Sequence, residues 1–378
     1  MVYISSQQDS TYFHWQIETY LRNFESKGID LKKCYVVMLY NGKISDRAKE
    51  LQRNYEANFY FYPMRPTHRY YIASVKPYGM WKLFKEVQFS EPIFYHDADI
   101  IFHTLPDFSP LLNDDVNYMS RCLQAGGMSY VDYEYLRQFP GIIEGLIKIV
   151  GVMPKEHGGG AQYILKGVTA EYWEKVYRDG FKIYDFLKDS KTAVQVWCAE
   201  MWATLWNLWY FDLETDLHPL LDFCMSRDPI IELKPIVHNA GLMGQGYFNK
   251  LNYQNIYPPY DVQVKEDMCN FVYANEVKKI HYIRSKSNKM GKIQFIKEGA
   301  SDMKTGHLYQ LGELADLGEK RNANAVKGGL AVWVDSTALI EAKKELATEK
   351  ATEKKEGTPK KTTTSVKGQK IETKNSGK

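Results

Sequence analysis

The chain has 378 residues, 44% hydrophobic and 14% aromatic, enough apolar material for one large core or two smaller ones. No stretch approaches the roughly 20 uncharged apolar residues of a membrane span, and the five scattered cysteines, Cys34, Cys122, Cys198, Cys224 and Cys269, form no CxxC pair that would suggest a zinc site or a disulfide framework. The net charge is +3, but residues 343–378 hold 11 lysines against 5 glutamates, a charge of +6, so the rest of the chain is left at −3 and lacks the basic excess of a dedicated nucleic-acid binder.

The first hundred residues alternate strands and helices. Met1-Val2-Tyr3-Ile4-Ser5-Ser6 has no basic leader pattern and reads as a first strand, which gives the expectation of a cytoplasmic protein. Tyr12–Phe24 places Phe13, Ile17, Tyr20, Leu21 and Phe24 on one helical face. Cys34–Tyr40 is a continuous apolar run ended by Asn41-Gly42, as in a buried parallel strand. A helix is expected over Ile44–Asn58, a strand over Phe59–Tyr62, a helix over Tyr78–Val87 and a strand over Pro92–Tyr95. Repeated βα units imply a mostly parallel sheet with right-handed crossovers.

Further on, Val116–Leu123 is strand-like. Gly158-Gly159-Gly160-Ala161 leads into a strand at Gln162–Leu165, and helices are expected near Glu171–Arg178 and over Ala193–Tyr210. Short elements follow around Leu217–Cys224 and Pro235–His238. The Lys/Thr-rich end, 357–378, has almost no apolar content and is expected to be disordered. The expected layout is one α/β domain over 1–300, a partly helical extension over 301–356, and that tail.

His96-Asp97-Ala98-Asp99 falls at the carboxyl end of its strand, where ligands gather in open α/β sheets. Residues two apart in extended chain point the same way, so Asp97 and Asp99 suit a shared divalent cation, or one holds metal and the other a ribose. Mg²⁺ or Mn²⁺ prefers carboxylate and phosphate oxygens, and neutralising a leaving diphosphate is the chemistry such an ion serves. Asp-x-Asp alone is a common accident; Pro-Ile-Phe-Tyr-His-Asp-Ala-Asp-Ile-Ile-Phe after three βα units is much rarer.

This segment resembles the Asp-x-Asp region of GT-A glycosyltransferases. More narrowly, the chain is similar to the peptidyl hydroxyproline O-arabinosyltransferase and serine O-galactosyltransferase group. The matching features are Tyr12-Phe13-His14-Trp15-Gln16, the Asp97/Asp99 strand, Trp197-Cys198-Ala199-Glu200-Met201-Trp202 and Val237-His238-Asn239-Ala240-Gly241. The resemblance implies a GT-A (nucleotide-diphospho-sugar transferase) fold, a UDP-sugar donor, a divalent metal and retention of anomeric configuration. It also implies a late histidine as third metal ligand, with His238 the first choice and His281 its competitor. The plant enzymes carry a membrane anchor, and none is legible here, so a peptide acceptor does not carry over automatically.

Glu200 lies in a very apolar helix. Cys198, Trp202, Leu205, Trp206 and Trp209 fall on one side, and Glu200, Thr204 and Asn207 form a narrow polar strip on the other. A carboxylate there either serves the acceptor or the reacting carbon or simply faces solvent. Gly159 and Gly160 permit close backbone approach to a ligand, or else make a plain turn. Ser5, Ser6 and Gln7 end the first strand, where a uracil or ribose would rest. Arg69, Lys76 and Tyr78 precede or open the helix ahead of the acidic pair, where a cation would hold the diphosphate.

The expected reaction moves a sugar from a UDP-sugar to a hydroxyl of a glycan, a peptide or a hydroxymethylated DNA base. In the last case the basic tail would assist binding. The rivals are a non-catalytic nucleotide-sugar or carbohydrate-binding protein and a metal phosphohydrolase prompted by His96-Asp97. The latter lacks a convincing set of further histidines.

Overall fold

In the computed structural model, β1 (Val2–Gln8) runs through the middle of a sheet, and its residues 2–7 are buried on both faces. The structure describes residues 1–121, 133–155, 157–190, 194–241, 244–259 and 262–289, together with strand segments at 292–295, 300–301, 308–309, 314–315 and 331–334. After β1 come α1 (Thr11–Ser26), β2 (Cys34–Tyr40), α2 (Asp46–Asn54), β3 (Asn58–Pro63), α3 (Val75–Glu86), β4 (Ile93–Tyr95) and β5 (Ile100–Phe102). Then follow β6 (Asn117–Ser120), α4 (Tyr133–Arg137), α5 (Pro140–Val150), β7 (Gly160–Leu165), α6 (Ala170–Asp189), α7 (Ala199–Tyr210), β8 (Thr215–Leu217), β9 (Phe223–Met225), β10 (Ile236–His238) and α8 (Asn270–Lys289).

Seven strands form one sheet in the order β3-β2-β1-β4-β7-β6-β8. The first four are mutually parallel, β7 runs antiparallel to β4 and β6, and β8 is parallel to β6. This is the expected α/β architecture, a mostly parallel central sheet flanked by helices. Chain order passes from β1 outward to β2 and β3, then crosses to β4 on the other side of β1. That reversal is a topological switch point, and it opens a crevice beyond the carboxyl ends of β1 and β4.

Helix packing sets what lines that crevice. Ile17, Tyr20, Leu21 and Phe24 of α1 are buried against the sheet, as the helical spacing requires. Gly79 lets α3 press onto β1 and β2: a Cβ there would lie 2.2 Å from Ser6 Oγ and 2.9 Å from side-chain carbons of Leu39 and Val37. That close approach seats Lys76, one turn earlier, beside the end of β1. In α7 both faces are buried, including the polar strip Glu200, Thr204 and Asn207. Thr204 Oγ1 donates to the Glu200 carbonyl at 2.8 Å and Asn207 Nδ2 to the Ala203 carbonyl at 2.9 Å, so two of the three donate back to their own helix.

A second sheet, β5-β10-β9, continues from the tip of β4. Its register pairs Ile236 with Phe102, Val237 with Ile101 and His238 with Ile100.

The chain divides into two compact units, residues 1–283 and 284–378. In the second, β11 (Lys292–Phe295), β12 (Ala300–Ser301), β13 (Leu308–Tyr309), β14 (Leu314–Ala315) and β15 (Ala331–Val334) make two small antiparallel sheets, β14-β11-β15 and β12-β13. The described parts of the 301–356 extension are therefore strands; the rest of it, and the tail 357–378, lie outside the described residues. No described helix is long and apolar enough to cross a membrane.

Candidate active site

A cleft of about 650 Å³ opens at the switch point. Its walls include Ser6, Gln7 and Gln8 from the end of β1, Tyr12 and Gln16 from α1, and Lys76 from α3. Asp97, Ala98 and Asp99 follow β4, and Trp197, His238 and Lys250 come from farther along the chain.

The acidic pair sits where the chain leaves one sheet for the other. The antiparallel register of β5 and β10 carries on past His238: Asn239 N–H donates to the Asp99 carbonyl at 2.8 Å. His238 is thereby fixed alongside Asp99, with Nε2 3.1 Å from Asp99 Oδ1 and 3.7 Å from Asp97 Oδ2. One ligand atom from each of Asp97, Asp99 and His238 lies within 4.8 Å of the others. Two hard carboxylate oxygens and an imidazole nitrogen fit a divalent cation such as Mn²⁺ or Mg²⁺.

Two lysines enclose the cluster. Lys250 Nζ donates to Asp99 Oδ2, and Lys76 Nζ sits 2.9 Å from Asp97 Oδ1 and 2.5 Å from Glu200 Oε1. Burial by itself pushes the Asp99 carboxyl up, but Lys250 and His238 outweigh it and hold the group well below the ordinary carboxylate range. Burial likewise works against the charged form of Lys76, and Asp97 and Glu200 more than reverse it, so Lys76 stays an ammonium well above its usual range. Glu200 ends up raised, because burial and the Asp97 charge exceed the help from Lys76.

Glu200 is 3% exposed and does not line the cleft. Its carboxylate is bonded to Lys76, and its own backbone N–H donates to Tyr71 Oη at 2.8 Å. His96 turns into the aromatic core against Tyr20, Phe24 and Phe94. Burial lowers its pKa to about 4, and its ring Nδ1 lies 2.8 Å from the Asp97 carbonyl. Asp97 and His96, adjacent in sequence, thus face different surroundings.

The remaining expected site residues divide. Ser6 and Gln7 line the cleft, and Gln7 donates Nε2 to the Val37 carbonyl at 3.0 Å while its buried Oε1 has no protein partner among the described residues. Ser5 points the other way, 2.8 Å from Tyr20 Oη. Arg69 is exposed, with Nη2 3.4 Å from Asn41 Oδ1, and is not part of the cleft wall. Tyr78 is buried among His68, Trp81 and Tyr177, with the Arg65 guanidinium over its ring. Gly159 packs on Met119 and Leu217, where a Cβ would come within 2.4 Å of the Met119 side chain. Gly160 opens β7, and the residue after it, Ala161, reaches the cleft. The side chain of His281, in α8, lies outside the described residues.

Lys250 escaped sequence reasoning. It starts the short turn Lys250–Tyr253, and Lys-Leu-Asn-Tyr matches no motif; only the fold brings it to Asp99.

Fold and site together define an α/β protein with a strand-end acidic cluster suited to a divalent cation. No protein-family model and no curated protein matches the chain. Among solved structures it is similar to the galactosyltransferase LgtC in complex with donor and acceptor sugar analogs, at 15% identity over 64% of this chain and 87% of that chain, TM-score 0.39. It is also similar to the bifunctional glycosyltransferase WbbM, at 12% identity over 75% of this chain and 51% of that one, TM-score 0.41. A third similar structure is the glycosyltransferase GlyE of Streptococcus pneumoniae, at 10% identity over 75% and 63%, TM-score 0.39. At these identities and scores, what the site does has to be drawn from its own residues.

Proposed function

We propose that this chain is a GT-A-type glycosyltransferase that moves a sugar from a UDP-sugar to an acceptor hydroxyl with the help of Mn²⁺ or Mg²⁺. The observation that carries the proposal is the convergence of Asp97, Asp99 and His238 on one point in a cleft at the switch point of the sheet. The Asp-x-Asp segment and its resemblance to GT-A enzymes, including the hydroxyproline arabinosyltransferase and serine galactosyltransferase group, support the same reading.

Asp97, Asp99 and His238 would hold the cation, which when bound would supply positive charge to the leaving diphosphate. Lys76 and Lys250, both on the cleft wall, add fixed positive charge at the same end. Gln7 Oε1, a buried acceptor with no protein partner among the described residues, suits an N–H of the nucleobase. In the transfer the bond between the anomeric carbon and the diphosphate oxygen breaks, and the electron pair leaves with that oxygen. The acceptor oxygen forms the new bond to the anomeric carbon, and its proton passes to the departing phosphate. Glu200 is a positioning residue that shares Lys76 with Asp97 and so keeps the ammonium from settling fully on the cation's ligand. Retention of configuration is what the resemblance implies.

The test is a donor screen. The protein is incubated with Mn²⁺ and each common UDP-sugar, and freed UDP is measured with and without EDTA. UDP release with one donor, abolished by EDTA and lowered on the order of a thousandfold in Asp99→Asn, is the expected result. Tight nucleotide binding with no turnover for any donor or acceptor would instead favour a non-catalytic sugar-nucleotide binder.

A further inference from the structure

The described residues contain eight large hydrophobic side chains that are exposed, and three of them, Ile72, Trp197 and Leu251, line the one cleft that holds the acidic cluster. Trp197 is 52% exposed, whereas Trp15, Trp173, Trp202, Trp206 and Trp209 are all at 5% or less. Leaving an indole open to water forgoes the burial free energy that drives the other rings inside. Three such side chains lining one cleft among polar residues mark a binding surface.

The ring is held in place. Trp197 Nε1 donates to Gln195 Oε1 at 2.6 Å, and the Trp197 carbonyl accepts from Tyr71 Oη at 3.1 Å. That same tyrosine oxygen accepts the backbone N–H of Glu200. Trp197 is thus anchored three residues ahead of Glu200, whose carboxylate grips Lys76 and, through it, Asp97. The floor and the mouth of the cleft differ in exposure: the side chains of Asp99 and His238 are 7% and 8% exposed, against half of the indole. A donor seated on the acidic floor leaves the indole to the second substrate.

The rest of the lining tells which second substrate. Apart from the acidic cluster and its two lysines, the polar groups are amides and hydroxyls, among them Gln8, Ser10, Gln16, Gln254 and Asn255. Among the described residues no arginine lines the cleft, and its two lysines both sit at the acidic floor, on Asp97 and Asp99. That is a poor match for a phosphate backbone, which is bound by several cations spread along its track. It is a good match for a neutral polyol. One face of a pyranose ring presents C–H groups to the electron-rich face of an indole, while its hydroxyls take amide hydrogen bonds.

We infer that Trp197 is the stacking platform of an acceptor subsite for a neutral saccharide, with cleft amides for its hydroxyls. The inference rests on the proposed transferase reading and narrows its acceptor to a glycan, in preference to a peptide or a DNA base.

The experiment uses the full chain, Trp197→Ala and Trp197→Phe. Binding of lactose, cellotriose, maltotriose, a hydroxyproline peptide and an oligonucleotide with hydroxymethylcytosine is measured by titration calorimetry and saturation-transfer NMR, with UDP and Mn²⁺ present and again without them. UDP–Mn²⁺ affinity is measured separately. At least one neutral saccharide is expected to bind, with saturation transfer strongest at ring C–H protons. Trp197→Ala should weaken it about tenfold and Trp197→Phe two- to threefold, with UDP–Mn²⁺ affinity held within twofold. Saccharide binding that is indifferent to Trp197→Ala in a variant of unchanged melting temperature overturns the inference. So does binding of the peptide or the oligonucleotide alone. Failure of UDP–Mn²⁺ to bind the parent protein would overturn the transferase reading instead, and the saccharide arm without nucleotide still reads the platform.

Discussion

Two buried carboxylate clusters share helix α1 as a wall, and they are built on opposite terms. Glu18, 1% exposed, lies within a closed group. Arg47 Nη2 reaches its Oε2 at 2.5 Å, Tyr55 Oη donates to Oε1 at 3.2 Å, and Arg22 Nε stands 3.9 Å away. Arg47 is itself tied down by the Tyr257 hydroxyl at 2.6 Å and by Glu50. Around Asp99 the partners are as close, but the cluster borders a cleft, and three ligand atoms of different residues face one point. Burial of charge is common to both, so burial alone does not mark a site. What separates them is whether the acceptor lone pairs are used up on fixed protein donors or converge where something else can enter.

The largest effect expected from that contrast is on stability. Glu18→Ala takes one of two carboxylate partners from the half-buried Arg47, which keeps Glu50, and leaves Tyr55 Oη without its acceptor; it should cost about 2–3 kcal/mol, read as a drop in the urea midpoint. Mn²⁺ and UDP affinity of the folded fraction should be unchanged. A fall in nucleotide affinity beyond threefold would mean that the closed group is coupled to the cleft, and the contrast would break.

Next in size is Glu200→Gln. Glu200 shares Lys76 with Asp97. Without that competing charge, Lys76 settles fully on Asp97 and opposes the cation. The Mn²⁺ concentration for half-maximal activity should rise about tenfold, the range seen when an outer partner of a ligand is lost. UDP-sugar KM at saturating Mn²⁺ should move little. An unchanged Mn²⁺ requirement would show that the Lys76 bridge transmits nothing to the acidic pair.

The two clusters also differ in how far the sequence exposes them. The parallel half of the sheet was legible because its signals are local: an unbroken apolar run at Cys34–Tyr40, helical spacing over residues 12–24, and an acidic pair just past Ile93–Tyr95. Helix ends were less so. The helix expected over 44–58 is confined to Asp46–Asn54, with the Ser45 hydroxyl capping Ala48 N–H at 3.1 Å and Asn58 already in β3. α3 begins at Val75, ahead of Pro77, which is tolerated in a first turn where N–H groups lack helical partners. The small sheet was not legible, because β5 and β10 are more than a hundred residues apart and three residues long. Lys250 lies in a turn with no local signal and reaches Asp99 only in the folded chain, whereas His238 is marked by the apolar residues before it. Glu200, Thr204 and Asn207 form one polar strip by helical spacing. Their burial is a tertiary fact, set by α7 lying with both faces covered.

The smallest effect comes from another closed group, the one that absorbed Tyr78. His68 is fully buried, its Nδ1 accepts the Arg65 backbone N–H at 3.2 Å, and its Nε2 lies 3.2 Å from Tyr177 Oη. Burial, with help from the Arg65 charge, lowers its pKa from 6.5 to about 4. Between those values the unfolded chain holds a proton that the folded chain refuses. Stability from this residue is therefore whole above pH 6.5, declines as pH falls towards 4, and levels off below, with a slope of at most about 1.4 kcal/mol per pH unit. In His68→Asn the amide oxygen can accept the same N–H and no proton is taken up, so urea unfolding from pH 7 to 4.5 should show a shallower decline. His96 and His157, also lowered by burial, keep part of the slope in both proteins. Equal slopes would mean that His68 charges within the fold and that this group is not closed.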